Sequence, residues 1–162
     1  MVGVNGLRPR TAPRGTVRVV DPHPLNWLYL TYNTVEEPVR VSRGGKIRPA
    51  AMRRFRWVDR QTLELHFRRE RFADGTALDA RSFHRAVTEQ LRWQAPHPPG
   101  TQFNLDRRTR VEVVDDETAR LHLPEVDGLV LGKLRATHIM TEHFWRDLGF
   151  GYAQGRPGEG HW

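Results

Sequence analysis

The sequence predicts an α+β domain in which antiparallel β-hairpins pack against one amphipathic helix. Two observations predict this class. Two segments alternate polar and apolar residues on either side of a central turn, and apolar residues recur at helical spacing between them. At 162 residues the chain has the length of one domain and can bury a core. The predicted domain spans residues 16–148, between a flexible basic arm over 1–15 and a glycine-rich tail, interpreted as a truncated linker, over 149–162.

The opening part of the predicted domain contains two short strands. Residues 16–20 alternate and are rich in β-branched side chains, which is typical of a strand. Residues 25–37 are apolar and aromatic, and their periodicity leaves helix and extended chain as alternatives. Residues 39–41 alternate again and lead into a predicted turn over 43–46.

The clearest local pattern is a hairpin over residues 55–67. Asp59 suits the first position of a type I turn, where its carboxylate can accept a backbone N–H. In the second strand, the residues predicted to face the core are Leu63, Leu65 and Phe67, and those predicted to face water are Glu64 and His66.

The same pattern returns without gaps over residues 111–123, which fits either a duplication or convergent hairpin chemistry. Thr62 matches Thr118, and His66 matches His122. Two such hairpins are expected to pair into one antiparallel sheet, and that pairing could make the two histidine rings neighbours, although solvated surface histidines are the simpler interpretation.

A helix is predicted between the hairpins, capped by Asp79 and ending near Arg92. Its core-facing residues follow helical spacing and include one polar member, Gln90: Phe83, Ala86, Val87, Gln90 and Leu91. A proline-rich loop follows over 94–100, and Thr141 is predicted to cap a short helix over 142–148.

The positive charge does not by itself predict a nucleic-acid partner. Lys and Arg number 26 against 19 Asp and Glu, a net charge of +7, and all the basic residues except Lys46 and Lys133 are arginines. Three arginine clusters lie in or beside predicted strands, where neighbouring side chains point to opposite faces: residues 53–56, 68–71 and 107–110. We therefore interpret them as solvated surface, and no nucleic-acid-binding motif accompanies them.

The sequence predicts no catalytic residue, metal ligand or cofactor. It has no cysteine, which excludes disulfides and thiolate chemistry. On a helix, His138 and His143 would lie about 140° apart, too far around the axis to share one ion. The acidic run over 115–117 needs only to be a polar hairpin tip, and Ser42 and Ser82 lie in no nucleophile context. We expect a binding module rather than an enzyme.

An aromatic cluster precedes the first hairpin and contains Trp27, Tyr29 and Tyr32, followed by Asn33 and Thr34. Amphipathic rings beside an amide and a hydroxyl can line a pocket for a polar solute. Burial in the core is the favoured interpretation of the same residues.

Several motifs resemble one known family. Trp57-x-Asp59-x-x-Thr62-Leu63-Glu64-Leu65-His66-Phe67-Arg68, followed by Phe72-x-Asp74-Gly75-Thr76-x-Leu78-x-Ala80, resembles the W-x-x-x-D-x-x-T-x-x-F-x-L-R and F-x-D-G-x-x-L-x-A block of family 5 extracytoplasmic solute-binding proteins. These are the dipeptide-, oligopeptide- and nickel-binding components of ABC importers. Residues 37–50 and 113–124 resemble the flanking stretches, so the resemblance covers about residues 16–162.

The resemblance implies a truncated lobe of a periplasmic-binding-protein type II fold. Family members are several times longer and close two lobes around the ligand, and this chain matches the N-terminal part of the first lobe only. It departs from the family at Arg81-Ser82, where an acidic pair is usual. Tyr32, Asn33 and Thr34 match the family region that faces the cleft, and Phe103 follows a loop near it, so these four are the predicted ligand-binding residues.

The resemblance further implies non-catalytic binding of a peptide or other small polar solute, an importer permease as partner and an extracytoplasmic location. The N-terminal residues do not form a secretory leader, which leaves a cytoplasmic location open. The alternatives are a basic regulatory or nucleic-acid-associated protein and a partner-dependent fragment. An incomplete lobe would expose apolar surface, which favours self-association.

Overall fold

The computed structural model describes residues 35–94 and 104–148, together with residues 15, 16 and 18. The predicted arm and tail, most of the strand over 16–20 and the proline-rich loop lie outside these residues. Within them the chain is α+β with antiparallel sheets, as the sequence predicts.

The first described element is a two-stranded hairpin. Strand β1 covers Val39–Val41 and pairs antiparallel with β2 over Ile47–Pro49. Between them Gly45 has a φ of +76°, a conformation that favours glycine, and this confirms the predicted turn. Strand β1 lies against a 3₁₀ turn over Leu134–Ala136, and Val39 is fully buried in the core.

The central element is a four-stranded antiparallel sheet made by the two predicted hairpins. The first hairpin consists of β3 over Met52–Trp57 and β4 over Thr62–Phe67, and the second of β7 over Arg110–Val113 and β8 over Thr118–His122. Their order in the sheet is β3-β4-β8-β7, so the second strand of each hairpin lies in the middle. The predicted hairpins and their pairing are both confirmed.

Both hairpin turns use the predicted aspartate. The Asp59 carboxylate accepts the backbone N–H of Gln61 at 2.7 Å, and Asp115 accepts that of Glu117 at 2.8 Å. These hydrogen bonds hold the pKa of both aspartates below the usual value. The matching residue types in the two copies of the pattern therefore reflect the same turn chemistry.

The register between β4 and β8 relates the two hairpins by a local two-fold arrangement. Thr62 lies opposite His122, and His66 lies opposite Thr118. The two histidines are thus four residues apart along the ladder, and the prediction that their rings could be neighbours was wrong. Each ring instead lies 3.4 Å from the threonine hydroxyl opposite it.

Helix α1 covers Ala80–Gln94 and packs on one face of this sheet. Asp79 caps it as predicted: Asp79 Oδ1 accepts the Ser82 N–H at 2.9 Å, and the Ser82 hydroxyl accepts the Asp79 N–H at 2.8 Å. The predicted helix stripe is buried except Leu91, which is half-buried. Phe83 packs against Phe67 of β4 with ring centroids 5.1 Å apart. Two strands that we did not predict, β5 (Glu70–Arg71) and β6 (Ala77–Leu78), flank the turn at Gly75 before the helix.

The remaining described chain returns over the core after β8. Helix α2 covers Val130–Lys133, and the 3₁₀ turn over Leu134–Ala136 follows it directly. The short helix predicted over 142–148 is largely a π-helical turn over Phe144–Leu148, and the Thr141 hydroxyl accepts the Phe144 N–H at 3.1 Å as a cap. Trp145 is buried in the core. Among the described residues, no helix is long and apolar enough to cross a membrane.

Candidate functional site

The four predicted ligand-binding residues, Tyr32, Asn33, Thr34 and Phe103, all lie outside the described residues. The structure describes the chain on the C-terminal side of each segment. Val35 is buried directly after Thr34, and Leu105 is buried two residues after Phe103. Between Phe103 and Leu105, Asn104 adopts a left-handed φ of +37°. Both predicted binding segments therefore run directly into buried residues of the core.

The chain that follows Thr34 is held first by a backbone bridge. Glu36 pairs antiparallel with Ile139, whose N–H donates to the Glu36 carbonyl at 2.8 Å. Ile139 is fully buried, so its side chain fixes this contact to the core. Residues 136–139 thus hold the chain at the point where it leaves the predicted binding residues at Thr34.

Gln90 joins that segment to helix α1. Its side-chain amide donates to the Ala136 carbonyl at 2.8 Å, and its amide oxygen accepts the His138 N–H at 3.0 Å. All three groups are buried, and buried backbone groups without partners are costly. The one polar residue in the helix stripe is therefore a cross-link. We call Glu36, Gln90 and Ala136–Ile139 the binding-segment frame.

Glu37 lies next to this frame and is nearly buried. Burial raises the pKa of its carboxyl above the usual value, because a low-dielectric environment disfavours the charged form. Arg40, whose Nε lies 3.8 Å from Glu37 Oε2, and Arg135 oppose this shift without cancelling it. A carboxyl group with a raised pKa thus lies three residues after the predicted ligand contact at Thr34.

The sheet face opposite α1 carries a row of alternating charges, one from each strand: Arg56, Glu64, Arg120 and Glu112. Glu64 Oε1 accepts from Arg56 Nε at 2.7 Å, and Glu64 Oε2 accepts from Arg120 Nε at 3.0 Å. These two arginines hold the pKa of Glu64 down to about 2. Glu112 Oε1 lies 3.8 Å from Arg120 and completes the row.

Glu64 and His66 are buried, so the prediction of a water-facing side for this strand was wrong. His66 Nε2 lies 3.0 Å from Glu64 Oε1 and adds a third neighbour to that carboxylate. The error has a physical reason. Alternation places Glu64 on the polar face, but the long side chains of neighbouring strands then cover it.

Four of the nine arginines in the three clusters pair with carboxylates: Arg53, Arg56, Arg69 and Arg108. Arg53 and Arg69 both contact Glu117, Arg81 contacts Asp116, and Arg108 contacts Asp106 and Glu125. Pairing within the molecule lowers the positive field that a phosphate backbone would meet. These contacts favour the solvated-surface interpretation of the positive charge over a nucleic-acid interface.

The remaining candidates for chemistry have structural roles. The acidic run over 115–117 supplies the turn aspartate and the carboxylates that pair with arginines. Ser82 belongs to the cap of α1, and the Ser42 hydroxyl accepts the Lys46 N–H at 3.2 Å in the first hairpin turn. His138 lies in the buried segment before the predicted helix rather than on it. In the part of the chain that the structure describes, no three histidine or acidic side chains are grouped closely enough to hold a metal.

Sequence comparison gives no relative: no family model matches the chain, and no curated protein is significantly similar to it. Comparison of the fold with solved structures finds proteins that are similar to this chain. DppA of Helicobacter pylori, an ABC transporter-associated periplasmic binding protein in complex with the peptide STSA, matches 84% of this chain with a TM-score of 0.61 and 17% identity.

Two further solved structures share this fold. OppA of Burkholderia pseudomallei matches 76% of this chain with a TM-score of 0.60 and 10% identity. NikA of Brucella suis, in complex with Fe(III)-EDTA, matches 70% with a TM-score of 0.60 and 18% identity. The chain has the fold of part of a family 5 solute-binding protein. The resemblance predicted from the motifs is confirmed at the level of the fold.

The match covers only part of these proteins. The chain spans 30% of the length of DppA, 28% of OppA and 24% of NikA. This agrees with the prediction that the chain matches one portion of a two-lobed binding protein. Because the chain covers less than a third of each of these proteins, the match does not assign their ligands to this chain.

Proposed function

We propose that this chain is part of the ligand-binding lobe of the solute-binding component of an ABC importer, and that it binds a peptide or another small polar solute without catalysis. The observation that supports the proposal most strongly is the fold. Portions of proteins that hold a tetrapeptide or a chelated metal superpose on most of this chain.

Tyr32, Asn33, Thr34 and Phe103 are the proposed ligand contacts. The binding-segment frame supports this assignment, because the chain after Thr34 is held by the bridge between Glu36 and Ile139. A contact surface that is fixed before the ligand arrives loses less entropy on binding. The domain is proposed to span residues 16–148, so that the arm and the tail contribute nothing to the lobe.

The proposed partners and location follow from the same fold. Solute-binding proteins of this fold work with an importer permease, so we propose an extracytoplasmic location and a permease partner. Two apolar side chains are strongly exposed on the loop before α2, Val126 at 59% and Leu129 at 73%. We propose this pair as a contact for self-association.

Calorimetric titration of the full chain with the peptide STSA, trialanine and tetraalanine tests the proposal. We expect saturable heat for at least one peptide, and at least about tenfold weaker binding for Tyr32→Ala, the loss expected when an aromatic contact is removed. The control is Arg48→Ala, a substitution of an exposed residue in the first hairpin. The proposal fails if no peptide gives heat at millimolar concentration, or if the control weakens binding as much as Tyr32→Ala.

A further inference from the structure

A groove runs between helix α1 and the start of edge strand β7, away from the binding-segment frame. It has a volume of about 660 Å³, enough for a small organic molecule. None of the described residues that line it belongs to the binding-segment frame. Its properties therefore stand apart from that frame.

The groove is lined by cations and by no acidic residue among those that the structure places there. Arg92, Arg107 and Arg110 all border it. Arg92 is paired with Glu89 at 3.1 Å. In contrast, Arg107 and Arg110 are exposed, and neither has an ion pair or a side-chain hydrogen bond within the described chain. Their neighbour Arg108, which does not line the groove, contacts both Asp106 and Glu125.

The groove is also lined by Thr109, whose buried hydroxyl has no partner among the described residues. Thr109 is only 5% exposed, and its Oγ1 makes no hydrogen bond within the described chain. Buried polar atoms are almost always hydrogen-bonded, so an orphan hydroxyl beside a cavity indicates a missing partner. An oxygen atom of a ligand in the groove would supply an acceptor for it.

The floor of the groove is apolar. Val87 is buried, and Leu91 and Val111 are half-buried, and all three line the groove. Low-dielectric surface beside an arginine strengthens its attraction for an anion and favours a ligand that also carries an apolar group. A fully hydrated inorganic anion would leave this floor uncovered.

We propose that this groove binds a small organic anion, a carboxylate or a phosphate monoester joined to an apolar group. Arg107 and Arg110 pair with the anionic end, Thr109 donates its hydroxyl to it, and the three apolar side chains contact the rest. This site is additional to the proposed solute site and does not depend on it.

Calorimetric titration of the full chain with phenylacetate and phenyl phosphate tests the inference, with phenylacetamide as the neutral analogue of the first. We expect saturable binding of at least one anion and at least about tenfold weaker binding of phenylacetamide, as for loss of a charged hydrogen bond. Arg107→Gln combined with Arg110→Gln should weaken anion binding by about tenfold or more, and Thr109→Val by about fivefold.

The matched control combines Arg43→Gln with Arg48→Gln, which removes the same charge from exposed residues of the first hairpin. It should change the affinity by less than about twofold, because charges farther than a screening length contribute little. The inference is overturned if neither anion saturates at millimolar concentration, if phenylacetamide binds as tightly as phenylacetate, or if the control loses as much affinity as the groove variant. Circular dichroism of each variant distinguishes loss of binding from loss of fold.

Discussion

Glu64 and Arg120 lie directly opposite each other on the two central strands, and they are also equivalent residues in the two copies of the hairpin pattern. In the local two-fold arrangement, the middle residue of the paired segment in one copy lies opposite the middle residue of the paired segment in the other. The charges are exchanged between copies, since Arg56 and Glu64 in the first correspond to Glu112 and Arg120 in the second. The row of alternating charges thus joins the two hairpins on the polar face, while Leu63 and Leu121 join them in the core.

Glu64→Gln is expected to lower the free energy of unfolding by about 1–3 kcal/mol, because it removes a buried carboxylate that accepts hydrogen bonds from two arginines. Urea unfolding at neutral pH measures the change. Glu112→Gln is the matched control, since Glu112 is the other acidic member of the row but its side chain is half exposed. The control should cost less than about 1 kcal/mol, and equal losses in the two variants would contradict the central role of Glu64.

The same carboxylate makes stability sensitive to acid. Arg56 and Arg120 hold the pKa of Glu64 at about 2, below its usual value, so its contribution is fully present above about pH 4.5 and is lost as the pH falls through about 2. The difference in unfolding free energy between the natural chain and Glu64→Gln should therefore shrink steadily between pH 5 and pH 2. A difference that stays constant over this range would show that Glu64 is not the group that titrates.

The contribution of Glu37 to stability should change with pH in the opposite direction. Its pKa is raised by burial, so the folded state binds a proton more readily than the unfolded state, and this contribution is lost as the pH rises through the folded pKa. Glu37→Gln should unfold at higher denaturant than the natural chain at pH 7, and its advantage should disappear near pH 4. Urea unfolding at both pH values measures this. Destabilisation at pH 7 would mean that the contact with Arg40 outweighs the cost of burial.

Gln90→Leu is expected to destabilise the domain by about 2 kcal/mol or more, since it leaves the buried Ala136 carbonyl and His138 N–H without partners. Gln61→Leu is a matched change at an exposed position, where the amide donates to the Pro124 carbonyl at 2.8 Å, and it should cost less than about 1 kcal/mol. Thermal unfolding monitored by circular dichroism compares the two. Comparable losses would remove the case for Gln90 as the link between helix and frame.

Local chemistry made the hairpins and the helix predictable from the sequence. Asp59 and Asp115 accept hydrogen bonds two residues away, and Asp79 caps a helix that begins at the next residue, so each signal lies within a few positions. The role of Gln90 depends on partners 46 and 48 residues away. The role of Glu64 depends on Arg120, 56 residues away, as well as on Arg56 across the hairpin. No local pattern gives the strand register or the path of the returning chain, and these two features set the burial of Glu64 and the cross-link at Gln90.

The predicted binding residues show the same difference between what local sequence patterns predict and what depends on contacts between distant residues. Residue type and family resemblance predict Tyr32, Asn33 and Thr34 as ligand contacts, and the structure describes only the frame beside them. That frame contains Ile139, which the sequence did not mark as part of a site. The sequence contains one sign of the frame, the polar residue Gln90 in an otherwise apolar helix stripe. This sign becomes informative only once the hydrogen-bond partners of Gln90 are known.

Amide chemical-shift mapping of the uniformly ¹⁵N-labelled chain during titration with the peptide STSA tests the proposed solute-binding role most directly. The account predicts saturable shifts at residues 32–37 and 103–105 and at Ile139, with residues 107–111 of the anion groove unchanged. Absence of shifts at saturating peptide, or shifts confined to residues outside the binding segments and their frame, would contradict it.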